Sequence, residues 1–406
     1  MKAEQTMTDQ QTGSFPYPRT CPLSPPEAYA TLRAEQPISR VTLGSGRQAW
    51  LLTRHEHIRQ LLASPDVSSN MAHPGYPLSF DVPQEVMEQQ RPVMLAMDPP
   101  DHTAQRKLVI SEFTARRMLQ LRPRVQEIVD EHLSAMLAAG GPVDLMTTLA
   151  LPVPSMVICE LLGVPYADRE FFGECTAKLL SVSTGYEELG RTHQQLHQYF
   201  TELIAAKTAE PGDDLLSRLV EKNRDAEVLD DEGLVRMATV LLVGGHETTA
   251  NMIALGVVGL LENPDQLGKL RANPDLVPSA VEELLRHFSI GDQVTSRVVL
   301  ADMEIGGVLI RAGEGVIGLS ASGNHDEAVF TDPGELDISR GGRQHLAFGY
   351  GIHQCIGQNL ARIELEIVFT ELFSRIPGLR LAAPVAELPF KDNAGVYGLH
   401  ALPVTW

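Results

Sequence analysis

The chain reads as a mainly helical protein with a smaller β-rich part, an α+β class, on three observations. From Asp230 to Glu262 it runs without a stop signal until Asn263-Pro264, and at 1.5 Å per residue such a helix spans roughly 50 Å. Apolar residues recur at helical spacing in Val125, Ile128, Val129, Leu133, Met136 and Leu137, and again in Leu360, Ile363, Leu365, Ile367, Val368 and Leu372. Besides final strands around Val396-Tyr397-Gly398, β-branched, alternating segments fall in two places. One is Ile38 to Leu43 with Ala49 to Thr53, a hairpin around Gly44-Ser45-Gly46. The other is Val298 to Ile317, turning at Gly306-Gly307 and Gly313.

The remaining elements follow in order. Residues 1–22 are polar and turn-rich and read as a loose arm. Pro26 to Gln36 and His55 to Leu62 read as short helices on either side of the hairpin. Ser68 to Gln90 is rich in Pro, Gly, Ser and Met with no clean period, the mark of a lid or binding loop. Pro99-Pro100-Asp101 begins a helix, with Asp101 near its cap and His102 and Arg106 on one face. Leu151 to Leu162 is a helix ended by Gly163 and Pro165, and Phe171 to Lys207 holds two or three more. His193 and His197, four apart without a third ligand, read as surface residues.

At 406 residues, length alone suggests about two or three domains, but no Gly/Ser tract, Pro-rich spacer or repeat divides the chain. A net charge of −19 favours solubility and argues against a nucleic-acid partner. Four scattered cysteines make no disulfide framework and point to a reducing compartment. No signal-type h-region or bilayer-length apolar run is present, so a soluble, cytoplasmic protein is expected.

Chemistry concentrates in Phe348-Gly-Tyr-Gly-Ile-His-Gln-Cys-Ile-Gly357. Cys355 sits at or just before a helix N-terminus, where free N–H groups favour an anion and are expected to lower the thiol pKa. Gly349, Gly351 and Gly357 leave room for a flat ligand to approach the main chain. One thiolate cannot build a tetrahedral zinc site, but it can be the one protein ligand of a haem iron. Cys21, Cys159 and Cys175 read as packing residues. In the long helix, Gly244 and Gly245 cost roughly 2 kcal/mol against alanine. Glu247 and Thr248 follow in an apolar context, a local rule violation expected at a functional site.

Phe-x-x-Gly-x-His-x-Cys-x-Gly resembles the haem-binding signature of the cytochrome P-450 monooxygenases, matched at every fixed position. The likeness runs from roughly Leu23 to Trp406. It includes Arg47-Gln48-Ala49-Trp50, Leu151 to Cys159 and the last five residues. It implies a single domain over 23–406 with the cytochrome P-450 fold, haem b (iron protoporphyrin IX) lying between the long central helix and the Cys-loop helix. Cys355 is then the axial iron ligand, with Phe348, Gly349, Gly357 and Gly244 against the cofactor. His102, Arg106, Arg297 and His353 are implied propionate partners, by charge-assisted bonds. Glu247 and Thr248 match the family's oxygen-handling pair, Thr248 holding the oxygen species and Glu247 relaying protons. Leu241, Gly244, Val294, Thr295, Val396 and Tyr397 are implied pocket residues. Glu283, Arg286 and Arg340 match a structural triad, a buried carboxylate between two guanidiniums. His325 stands where the family more often has Arg, and His345 near the haem loop carries no assigned role.

The implied activity is insertion of one oxygen atom of O₂ into a C–H bond of a sizeable, mostly apolar small molecule. Macrolides, sterol-like molecules, other secondary metabolites and xenobiotics fit that description. No flavin or nicotinamide fingerprint is present, so electrons are expected from a ferredoxin and ferredoxin reductase. These would dock on basic residues Lys107, Arg116, Arg117, Arg343 and Arg362 of an otherwise monomeric protein. The rival readings are a peroxide-driven or rearranging haem-thiolate enzyme, and a non-catalytic haem sensor.

Overall fold

The computed structural model describes residues 15–78, 93–180, 185–292, 294–392 and 395–406. The central helix, Asp231–Glu262, begins where Asp230 accepts a hydrogen bond from the Gly233 N–H at 2.7 Å and ends before Pro264. Its second half, Thr249 to Leu260, is buried on every face, as an apolar stretch of this kind must be in a large domain. Gly256 and Gly259 make that burial possible. A Cβ at Gly256 would stand 2.4 Å from a Phe369 ring carbon, and one at Gly259 would stand 2.8 Å from Phe288. Both aromatic rings therefore seat directly on the helix backbone. Around it pack the helices Ala115–Ala139, Pro152–Leu162, Tyr186–Ala209, Val277–Phe288 and Gln358–Arg375, whose apolar faces share one core.

The β part lies to one side. Strands β1 (Ile38–Thr42) and β2 (Gln48–Leu52) form the expected hairpin, paired Ile38 to Leu52 through Thr42 to Gln48. With β3 (Val67–Ser68), β5 (Ser296–Val299) and β8 (Gly315–Gly318) they make a five-stranded sheet of order β1-β2-β8-β5-β3. Between β3 and β5 in the chain comes β4 (Val143–Asp144), which joins β9 (Arg380–Leu381) and β10 (Pro403–Thr405) in a second sheet. A third pairs β6 (Met303–Ile305) with β7 (Val308–Ile310). Every residue of β5 and β8 is buried, and Arg297 lies in the middle of β5 opposite Val316.

Two boundaries differ from the sequence expectation. The helix read from Val125 begins ten residues earlier, at Ala115, and Thr114 caps it by accepting from the Arg117 N–H. Pro123 hides that upstream turn from a pattern reading, because proline normally ends a helix. The arm over residues 1–22 is not loose where it is described. Phe15 is 1% exposed, bridges Leu43 and meets Tyr17 edge to face, and the Tyr397 hydroxyl donates to Pro22 O. Phe15 buried on the hairpin, with the half-buried Tyr17 packed beside it, outweighs the polar composition around them. The expected loop over Ser68 to Gln90 is described only as far as Leu78; the rest lies outside the described residues. His193 and His197 are exposed, and His197 stands 2.8 Å from Glu232.

His325 occupies a dry interior position, its Nδ1 2.9 Å from Ala321 O and its ring 5.4 Å from that of His287. Burial pushes His287 down to about 4 and His325 down to about 3. Burial likewise holds His246, bonded to Leu151 O, at about 4. An unfolded histidine binds its proton near 6.5, so below that pH the unfolded chain takes up protons that the fold refuses. Stability contributed by these neutral rings is complete above pH 6.5 and is lost as pH falls toward 4 and then 3. The urea midpoint should therefore drop through that window, and His325→Gln should make the drop shallower; an unchanged slope would remove His325 from this account.

Candidate active site

The Cys loop is shaped by its glycines. Gly349 and Gly351 adopt φ of +68° and +75°, and a Cβ at Gly351 would fall 2.1 Å from Leu62 O. The loop thus lies flat against the helix His55–Ala63, and the Cys355 N–H closes it by donating to Phe348 O at 2.8 Å. Gly357 caps the helix Gln358–Arg375, which places the Cys355 sulfur at that helix's N-terminus as its position in the chain suggests. Cys355 is exposed by surface area, yet burial is the largest influence on its thiol. Both hold when a side chain faces a hollow within the protein. Contrary to the expectation of a lowered pKa, burial pushes the thiol up. The Gly357 N–H, Arg106, Arg362 and the Gln358 N–H offset only part of that effect. Desolvation of an anion outweighs one helix end, and a bound metal cation would favour the thiolate form.

The residues assigned to propionates come together. The His102 and His353 rings stand 4.1 Å apart between centroids, and Arg106 donates to Gln354 O at 2.6 Å, next to Cys355. Arg297, buried on β5, and Arg106 both depress His353, which burial first and these charges second bring down to about 3. His102 is 2% exposed with neither ring nitrogen hydrogen-bonded, and His353 Nε2 is likewise buried without a partner. Asp98 is the one acid acting on both His102 and Arg297, and it is occupied by the Ser68 hydroxyl and the Ser69 N–H. Two guanidiniums and two imidazoles that converge in this way call for an anion from outside the chain. A haem fits: His102, Arg106, Arg297 and His353 would hold its propionates, and Cys355 would hold its iron. Among the described residues no group of three or more His, Cys, Asp or Glu could hold a bare metal ion.

On the central helix, Gly244 is exposed, no atom lies within 4 Å of where its Cβ would be, and Thr248 is half-buried one turn on. Helical geometry continues through Gly244-Gly245, so the glycines open a face without breaking the helix. The Thr248 hydroxyl donates to Gly244 O at 3.1 Å and that of Thr249 to Gly245 O at 3.4 Å. Glu247 has a partner that the sequence does not disclose. Lys391, only 7% exposed, donates from Nζ to Glu247 Oε1 at 2.9 Å. Lys391 belongs to the C-terminal segment whose Val396 is half-buried and whose Tyr397 N–H donates to Ile290 O. Tyr397 itself is buried, stacked on Phe390 beneath the Arg19 guanidinium, so it offers a ligand no free hydroxyl. Val294 is exposed, whereas Thr295 is buried and bonded to Gly318 O, and Leu241 is buried in the main core. A cleft of about 350 Å³ between Arg47, Trp50, Gly75 and Glu314 shares no residue with this site.

Behind the Cys loop, Glu283 accepts from Arg286 at 2.8 Å through both oxygens and from Arg340 at 3.1 and 3.2 Å. Its neighbour Glu282, unremarked in the sequence, is the centre of a second cluster with His345, Arg343 and Arg362. Arg362 is therefore buried, not part of a basic surface. Lys107 and Arg116 are exposed, Arg117 is half-buried and stands 3.5 Å from the buried Glu112, and Arg343 keeps 68% of its side-chain exposure.

Residues 24–376 match the sequence profile of the family Cytochrome P450. Cytochrome P450 105A3 of Streptomyces carbophilus is 47% identical, aligned over 100% of this chain and 98% of its own length. The 20-oxo-5-O-mycaminosyltylactone 23-monooxygenase of Streptomyces fradiae is 44% identical over 98% of this chain and 94% of its own. The crystal structure of cytochrome P450 MoxA from Nonomuraea recticatena superimposes with a TM-score of 0.93 at 53% identity, covering 97% of this chain and 98% of that one.

Proposed function

The chain belongs to the cytochrome P450 family and is a monooxygenase, and from that premise we propose that it hydroxylates a sizeable, mostly apolar small molecule. The observation that supports the cofactor's position is the convergence of His102, Arg106, Arg297 and His353 beside Cys355 with no free acid among the described residues to receive them. The family implies haem; haem b, held through Cys355, Phe348, Gly349 and Gly357 with Gly244 across from it, suits these groups. When bound, it supplies the activation of O₂ and the oxidation of the C–H bond.

The chain's own residues position and protonate. Leu241, Gly244, Val294, Thr295 and Val396 are the surfaces we assign to substrate, with Tyr397 supporting Val396 from behind. Glu247 carries protons inward and the Thr248 hydroxyl presents them on the open face of the helix. The Lys391 ammonium keeps Glu247 turned toward the C-terminal segment, so the carboxylate must exchange partners to deliver a proton. This acid and alcohol on an open helix face favour oxygen activation over a peroxide-driven, rearranging or sensor role, which needs neither. The relative from Streptomyces fradiae is named for a macrolide-type substrate, and a molecule of that bulk suits an open, largely apolar lining. Electrons would come from a ferredoxin with its reductase, docking on Lys107, Arg116, Arg117 and Arg343. A monomer acting in the cytoplasm fits this reading.

The carbon monoxide difference spectrum of the reduced protein tests the assignment of Cys355. A strongly red-shifted Soret band should vanish in Cys355→Ser, and a band at the position typical of histidine ligation in the unaltered protein would overturn it. Thr248→Ala should keep consuming reductant while releasing most of it as peroxide; unchanged coupling would rule out the role given to the hydroxyl. Reversing charge at Arg116 and Arg117 should slow ferredoxin-driven turnover about tenfold and leave peroxide-driven turnover intact. Equal losses would place the docking face elsewhere.

A further inference from the structure

Glu282 lies one residue before the triad carboxylate Glu283 and is buried on a different face of the helix Val277–Phe288. Both its oxygens are used. Arg362 donates to them from Nε at 2.5 Å and Nη2 at 3.1 Å, and His345 Nε2 stands 2.8 Å from Oε2. Arg343 reaches the same carboxylate from the surface at 3.3 Å. The Arg362 and Glu282 side chains are each 8% exposed, so neither charge is screened by water. Burial alone would raise the Glu282 pKa, yet His345 and Arg362 hold it down at about 2.

What gives the cluster a bearing on the site is where Arg362 stands. Its guanidinium lies over the Phe348 ring, 4.6 Å from the centroid, and Phe348 O is the acceptor that closes the loop on the Cys355 N–H. Arg362 also occupies the second turn of the helix whose N-terminus carries Cys355, anchored there to the Gln358 carbonyl at 3.3 Å. Arg106, which donates to Gln354 O next to Cys355, and Arg362, over the Phe348 ring, are thus two guanidiniums placed beside the Cys355 loop. Arg106 approaches from the propionate side with no carboxylate of its own, whereas Arg362 approaches from behind and is neutralised.

We propose that Glu282 is a positioning residue for the sulfur ligand, setting through Arg362 how much positive charge Cys355 senses and so how easily a bound haem iron is reduced. The inference rests on Cys355 being the iron ligand, which the carbon monoxide spectrum tests separately. Reduction adds an electron, so removing an anion nearby favours the reduced form and removing a cation disfavours it.

The test is the midpoint reduction potential of the haem-loaded protein, with the carbon monoxide band recorded for each variant to establish that thiolate ligation persists. Glu282→Gln should raise the potential, Arg362→Gln should lower it, and the double variant should return close to the starting value. Arg362→Lys, which keeps the charge but loses the paired hydrogen bonds, should lower it much less than Arg362→Gln. A purely structural role predicts lower melting temperatures with no ordered change in potential. Shifts of the same sign for Glu282→Gln and Arg362→Gln would overturn the proposal. So would equal shifts for Arg362→Lys and Arg362→Gln, a comparison that stands even if Glu282→Gln does not fold. A band lost in every protein, the unaltered one included, would instead count against the ligand assignment itself.

Discussion

A carboxylate that is 2% exposed, Glu283, fixes the frame on which the Cys loop is built. It accepts from Arg286 and Arg340 and also from the Asp337 N–H, while Arg286 spends its remaining donors on Asn324 O, Pro333 O and Glu335 O. A helix, a turn-rich segment with little regular structure and the chain leading into the loop are thereby joined through one charge cluster. The segment from 324 to 340 has no ladder of its own, so its carbonyls depend on these guanidiniums. Removing one member of a buried pair typically costs about 3–5 kcal/mol, because it strands the partner. Here it would strand two arginines and release several carbonyls at once.

Charge is placed by opposite rules on the two sides of the Cys loop. Behind it, every acid at the centre of a cluster is matched: Glu283 with two arginines, and Glu282 with Arg362, His345 and Arg343. In front of it, His102, Arg106, Arg297 and His353 crowd together, and burial first, with the two guanidiniums second, holds both histidines below their usual range. Pairing everywhere would leave nothing to hold an anionic cofactor, and leaving charges unpaired everywhere would not fold. The rear clusters are charge-matched within the scaffold, and the front cluster leaves positive groups for the anionic cofactor proposed here.

Much of this was legible because the chemistry is carried by contiguous motifs. The loop Phe348 to Gly357, the Gly-Gly-His-Glu-Thr stretch and the hairpin at Gly44 to Gly46 are local patterns, and the structure forms local elements there. Period and stop signals located the central helix to within a residue, since Asp230 and Pro264 are strong local determinants. What stayed hidden is charge partnership at long range. Arg362 looked like one of several basic residues, and only the fold shows it paired with a glutamate 80 positions away. The thiol was misjudged for a related reason: a helix end can be read from sequence, whereas the depth at which it is buried cannot. Pro123 concealed a helical turn, and the aromatic side chains that pin Phe15 to Pro22 were outvoted by their polar neighbours.

Glu247 shows most plainly how a motif names a residue without fixing its chemistry. Its partner Lys391 lies 144 positions along the chain, in the segment that also carries Val396 and Tyr397. That segment is itself fastened to the central helix one turn further on, where Gly398 packs so closely on Asn251 that a Cβ would stand 2.0 Å from its side-chain oxygen. The acid on the open helix face and the C-terminal wall of the proposed pocket are therefore one mechanical unit, joined at Glu247 and at Asn251. A molecule filling that pocket presses on the same segment that holds the carboxylate. On the proposed roles, substrate fit and proton supply would meet at the Lys391–Glu247 ion pair, a juxtaposition that no local pattern in the chain encodes.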